Sequence, residues 1–249
     1  MAQVFHPSFN TLSRLSLLGA IVVPALLIVL GSAITRSSYN TKAGIPLEQP
    51  VPFSHEHHSV ELGIDCRYCH TSVEKSPYSN VPPTQTCMSC HSQIWTNSPL
   101  LEPVRQSYAT NTPLRWNQLN KVPEFVYFPH NAHVNKGINC NECHGPIQKM
   151  MLTYKAKPFF MVWCLNCHRN PEQHIRPREE VFNLYWKYQR GVIAKNADLS
   201  STDLSTEELK LANGEDYTRS GADLERGLKL VSEYHVQKKQ LVDCSVCHR

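Results

Sequence analysis

The ten cysteines of this chain fall into five C-x-x-C pairs, and histidine follows every pair directly. The five stretches are Cys66–His70 (CRYCH), Cys87–His91 (CMSCH), Cys140–His144 (CNECH), Cys164–His168 (CLNCH) and Cys244–His248 (CSVCH). A two-residue spacer places both sulfurs along one edge of a porphyrin, where they can bond its two vinyl groups. The next residue then lies beneath the ring, so its imidazole can reach iron. Zinc ribbons and disulfides also use C-x-x-C, but neither requires a histidine after each pair. At a background of about one residue in twenty, five such repeats would arise by chance with a probability of order 10⁻⁷. The sequence therefore predicts five covalently attached haem c groups. Their thioether sites are Cys66, Cys69, Cys87, Cys90, Cys140, Cys143, Cys164, Cys167, Cys244 and Cys247, and their proximal ligands are His70, His91, His144, His168 and His248.

The opposite face of each iron decides its chemistry. Two strong ligands suit electron transfer, while an open face can bind substrate. His55 and His58 precede the first motif and His130 and His133 precede the third, each pair written F-x-H-x-x-H. Three residues make one helical turn, so both imidazoles of a pair share a face and can serve two adjacent haems. The duplicated spacing supplies distal ligands for four irons. His57 sits between the first two and can replace either neighbour. For the fifth iron, His235 lies nine residues before Cys244, a spacing close to that of the other distal histidines. Met150, Met151 and Met161 are methionine candidates between the third and fourth motifs, although packing around haem is their commoner use.

These sites must be positioned by a chain of unusual composition: 249 residues with 10 glycines and 17 prolines, and few long helical patterns. The expected architecture is a mostly irregular and α-helical multihaem cytochrome c with little regular secondary structure. The haems themselves supply much of its core. The formal charge of +4 does not point to nucleic acid, since no basic run occurs and the haem propionates offset it.

Residues 1–14 form a short polar N-terminus. Leu15 to Ile34 is a run without charge, long enough to cross a bilayer, and 15–35 is expected to be a transmembrane anchor interrupted by Pro24. Gly31-Ser32-Ala33 resembles a cleavage site, but the apolar run exceeds what a signal peptide needs. Haem attachment is an export-linked chemistry, so 36–249 is expected outside the cytoplasm as a periplasmic pentahaem domain. Thr35 to Pro52 reads as a tether. Module one spans 53–98, including the turn-rich Ser76–Pro83, and module two spans 125–178. The connector from 100 to 123 shows no clear periodicity. The C-terminal haem region covers 179–249, with helices expected over Glu179–Arg190, after Ser205, and around Leu224–Val231.

The F-x-H-x-x-H and C-x-x-C-H grammar resembles class III multihaem cytochromes of the c3 and c7 type. Five motifs behind one anchor resemble the pentahaem subunit of alternative complex III more specifically. The carrying stretches are PFSHEHHSVELGIDCRYCH, PPTQTCMSCHSQIW, VYFPHNAHVNKGINCNECHG, WCLNCHRNPEQHIRP and the terminal CSVCHR. The resemblance implies a membrane quinol-oxidising respiratory complex in which this subunit passes electrons to a downstream cytochrome without catalysing a reaction itself. Implied partners are an iron–sulfur/molybdopterin-like subunit, quinol-binding integral membrane subunits and a monohaem cytochrome c. His174 and His235 fall where such relatives would vary, which favours Met150 over His235 on the fifth iron. Two other classes fit an anchored multihaem chain: a self-sufficient quinol dehydrogenase, and a multihaem anion reductase using an open fifth haem.

Overall fold

A computed structural model describes residues 6–186, 219 and 221–248. The chain divides into two compact units, Met1–Ala43 and Gly44–Arg249. The first unit is dominated by helix α1, Ser8–Arg36, which contains Pro24 and buries none of its side chains. It starts about two turns before the expected Leu15, since Ser8 to Arg14 can continue the helix once the apolar run has nucleated it. By length and composition it is able to cross a membrane.

The second unit is built from short helices joined by irregular chain, as the sequence predicts. Helices α2 (Cys66–Cys69), α3 (Thr84–His91), α5 (His130–Asn135), α6 (Cys140–His144), α7 (Met161–Arg169) and α9 (Cys244–Cys247) carry the motifs or a distal pair. Among the described residues no strand forms, and a single antiparallel bridge joins Pro46 to Tyr154. The segment expected to be a tether is partly fastened to this unit. Gly44 donates to the Lys155 carbonyl, and the Gln49 side chain bonds both the amide and the carbonyl of Asn117.

Two helices lie between and beyond the modules. Helix α4 (Glu102–Thr110) occupies the connector that showed no periodicity. Its signals are local: Pro103 in the first turn, a Glu102–Arg105 ion pair, and Asn111 ending it at φ 51°. Helix α8 (Gly221–Glu233) fulfils the expectation around Leu224–Val231. The helix expected over Glu179–Arg190 does not form in its described part, where Arg178–Glu180 makes only a 3₁₀ turn. The carbonyls that a helix would need are taken elsewhere. Val181 accepts from Asn139, Asn183 from Arg176 and Leu184 from Asn141. The remainder of that helix, and the one expected after Ser205, lie outside the described residues.

The apolar core of the described residues is small. One cluster joins Val73 of module one to Val134 and Val181, with Phe182 packed against it. The other seats Leu230 and Tyr234 on Ile175. Ordering each residue costs about 1–2 kcal/mol, more than clusters of this size can offset. Large apolar side chains near the motifs, including Leu62, Tyr68, Ile94, Trp95, Phe125 and Met161, are exposed in the chain alone. They are the surface a set of porphyrins would cover.

Candidate haem sites

Each C-x-x-C pair sits on its own helical turn, so both sulfurs project from the same side. Two of these turns are capped by the residue before the first cysteine. Asp65 accepts from the amide of Arg67 and Asn139 from that of Asn141, both at 2.8 Å. None of the ten cysteines is paired in a disulfide. The chain turns sharply after the third motif, where Gly145 takes φ 64° and a side chain would strike Ala156.

The nine predicted histidine ligands share one feature. Every one has its Nδ1 engaged, which leaves Nε2 for metal. Among the proximal set, His70 bonds the Asn80 carbonyl at 2.6 Å, His91 that of Ile94 at 3.3 Å, His168 that of Leu241 at 2.8 Å and His248 that of Phe125 at 3.1 Å. His144 faces the Asn120 amide at 3.0 Å. With Nδ1 protonated, that amide must turn its oxygen inward, and this oxygen is otherwise buried without a partner. Among the distal set, His58 and His133 each bond the carbonyl four residues back, Ser54 and Pro129, at 2.8 Å. His55 bonds Thr153 Oγ1 at 3.0 Å and His130 the Pro77 carbonyl at 2.8 Å.

The two modules repeat one another closely. Phe53 stacks on His58 with centroids 4.5 Å apart, and Phe128 on His133 at 4.4 Å. Each phenylalanine also meets the first histidine of its pair edge-on at 4.9 Å. The anchors of those first histidines are exchanged between modules. The amide of His55 donates to Met150 and that of His130 to Pro77, both at 3.0 Å. The π-helical turn Glu56–Glu61 presents the upstream pair, a geometry that recurs at functional sites.

Imidazole nitrogen bonds a metal at about 2 Å, so two imidazoles on opposite sides of one ion hold their centroids about 6 Å apart. His58 and His91 are 6.2 Å apart, and His133 and His168 are also 6.2 Å apart. His130 and His144 lie at 6.4 Å with their rings within 8° of parallel. Burial, followed by the charges of His70, His144 and His58, pushes His55 down to about 4. Burial likewise takes His144 to about 4, with His130 and His70 adding to it. These interactions gather His55, His70, His130 and His144 into one cluster. Burial also lowers His58, His130 and His133. The neutral imidazole that metal binding needs is thus the favoured form at these five positions. Spacing, free Nε2 atoms and flanking apolar surface all fit haem.

The remaining candidates are placed differently. Met150 is buried, its carbonyl taking the amide of His55 and its side chain lying near Gly145 beside the third motif. His235 is exposed just after α8 at φ 52°. His57 turns to Glu61 at 2.6 Å and stacks on Trp95 at 5.8 Å. Met151 and Met161 are exposed. His174 bridges two motifs, bonding Glu142 at 3.1 Å within the third and lying beside Cys167 of the fourth. Burial opposes its charge, yet those two partners raise it to about 9. Thioether formation removes the Cys167 contribution and leaves Glu142.

No protein-family model matches this chain. It is 29% identical over 149 residues to the multihaem cytochrome c subunit of menaquinone reductase from Nitratidesulfovibrio vulgaris (strain Hildenborough), covering 51% of this chain and 70% of that one. It is 27% identical over 114 residues to the cytochrome subunit of acrylate reductase from Shewanella woodyi, covering 45% of this chain and 70% of that one. The chain is a multihaem cytochrome c. Its haem groups are covalently bound, and its helical, strand-poor architecture among the described residues is that of a protein organised around cofactors. The carbonyls that aim its imidazoles carry no letter signal, because any residue has one, and Asn120 sits 24 residues from His144 in sequence.

Proposed function

We propose that this multihaem cytochrome is the pentahaem electron-transfer subunit of a membrane quinol-oxidising complex of the alternative complex III type. The observation that carries this reading is the paired imidazoles, 6.2 to 6.4 Å apart with every Nδ1 held. Haem iron supplies reversible one-electron chemistry when bound. The protein's contribution would be paired imidazole nitrogens that leave no open position on the iron for substrate.

On this reading His70, His91, His144, His168 and His248 are proximal ligands. His58 faces His91, and His133 faces His168. The cluster of His55, His70, His130 and His144 serves the irons of the first and third motifs. Met150 or His235 completes the fifth. Phe53 and Phe128 wedge the distal rings, and the carbonyls on Nδ1 fix their tautomer and strengthen them as donors. Helix α1 anchors the subunit in the cytoplasmic membrane, with the haem domain on the periplasmic side. The two curated relatives are cytochrome subunits of reductases. This supports partners of the expected kinds: an iron–sulfur/molybdopterin-like subunit, quinol-binding membrane subunits and a monohaem cytochrome c.

Gentle detergent purification of the haem-stained band tests the assignment. Co-purification of an iron–sulfur protein and polytopic membrane subunits is the expected result. A solitary chain that oxidises quinol would replace it with a self-sufficient dehydrogenase. A high-spin ferric signal from a native haem would instead favour an anion reductase.

A further inference from the structure

The five motifs contact one another in a series that differs from their order in sequence. Motifs one and two meet through Tyr68, whose hydroxyl lies 2.9 Å from Ser89 Oγ between the cysteines of the second pair. Motifs one and three meet at their first cysteines, where Cys66 and Cys140 lie side by side. The same junction is fastened by His130 on Pro77, the amide of Asn131 on Ser76, and the Asn135 side chain on Glu74. Motifs three and four meet where His174 joins Glu142 to Cys167. Motifs four and five meet where His168 bonds the Leu241 carbonyl, three residues before the last cysteine pair.

We propose that the haems are strung in the order second, first, third, fourth, fifth, so that electrons enter and leave this subunit through the haems of Cys87–Cys90 and Cys244–Cys247. The order rests on the pentahaem reading above. It also follows from the pseudo-symmetry of the modules. They abut through their first motifs, which places their second motifs outermost, and the terminal motif extends one side only. Electrons pass singly along the series. Each transfer oxidises one neighbour and reduces the next by one electron, with no bond made or broken. The first- and third-motif haems, which share the four-imidazole cluster, form the link between halves and have no direct outlet to a partner.

The test is to locate the irons by cryo-electron microscopy of the detergent-purified holoprotein in its complex, assigning each through its thioether cysteines. Five irons with the second and fifth at the ends, and the first beside the third, are expected. A series in which the second-motif haem has two haem neighbours, or the fourth lies beside the first, would overturn the order. Fewer than five irons would overturn the pentahaem reading, while the sequence of those remaining would still test the contacts. A Cys140→Ala/Cys143→Ala chain gives a second measurement. On rapid mixing with a reduced donor, the lost central haem is expected to split one reduction phase into two. Unchanged kinetics would reject the central placement.

Discussion

At single residues, what sets each iron's environment is the group on the far side of its imidazole. Asn120 is the one side-chain amide among the proximal anchors. Replacing it by leucine removes a hydrogen bond worth about 1 kcal/mol, equivalent to about 40 mV for one electron. With less electron density on His144, the Asn120→Leu chain is expected to show one haem shifted to higher potential, measured by redox titration of the holoprotein. His133→Ala removes a distal ring without touching a thioether. Haem staining should persist while a single high-spin signal appears in electron paramagnetic resonance. Acid provides a third check. The unfolded chain protonates its imidazoles near 6.5, whereas folded His55 and His144 resist until about 4. The unfolded state therefore binds more protons as pH falls from about 6.5 to about 4, and stability declines over that window before levelling off. Iron coordination lowers these values further, so the low-spin spectrum should hold to about pH 4 and fail below it. The ligands themselves were legible because imidazole and thiol have their own letters and spacing. The Asn80 and Pro77 carbonyls were not, since any residue carries a carbonyl and only the turn at Asn80, φ 68°, aims one.

Among the elements, the helices with motif grammar or apolar spacing were readable, while those decided by tertiary partners were not. Val181, Phe182 and Tyr185 have helical spacing, yet Asn139, Asn141 and Arg176 capture the carbonyls of that stretch. Two of those three residues flank or occupy the third motif, so the haem site overrides local propensity. Helix α4 was hidden for the opposite reason, its polar sequence giving little periodicity while its termini are well specified. Helix α8 shows how tightly such elements are placed. Gly227 lies against the Glu172 carbonyl and the Arg219 guanidinium, with no room for a further carbon. Alanine ordinarily gains about 1 kcal/mol over glycine inside a helix. Here overpacking of about 1–3 kcal/mol should outweigh that gain. Gly227→Ala is expected to lower the melting temperature by a few degrees, read by circular dichroism of the holoprotein.

For the whole molecule, the division into Met1–Ala43 and Gly44–Arg249 predicts separability. A chain lacking residues 1–43, exported by a cleavable leader, should leave the membrane fraction with its haem content unchanged, as absorbance per protein would show. The larger unit does not divide further in the same way, because its modules exchange anchors. His55 is held by Met150 and Thr153, and His130 by Pro77. This reciprocity bears on biogenesis. A chain delivered N-terminus first presents the first two motifs to the attachment machinery roughly sixty residues before Met150 and Thr153 emerge. Thioether bonds in the first module can therefore form early, but correct seating of His55 must wait for the second. A chain stopped after residue 123 should accept haem covalently yet show mixed or exchangeable axial ligation, a maturation checkpoint written into the connectivity of the fold.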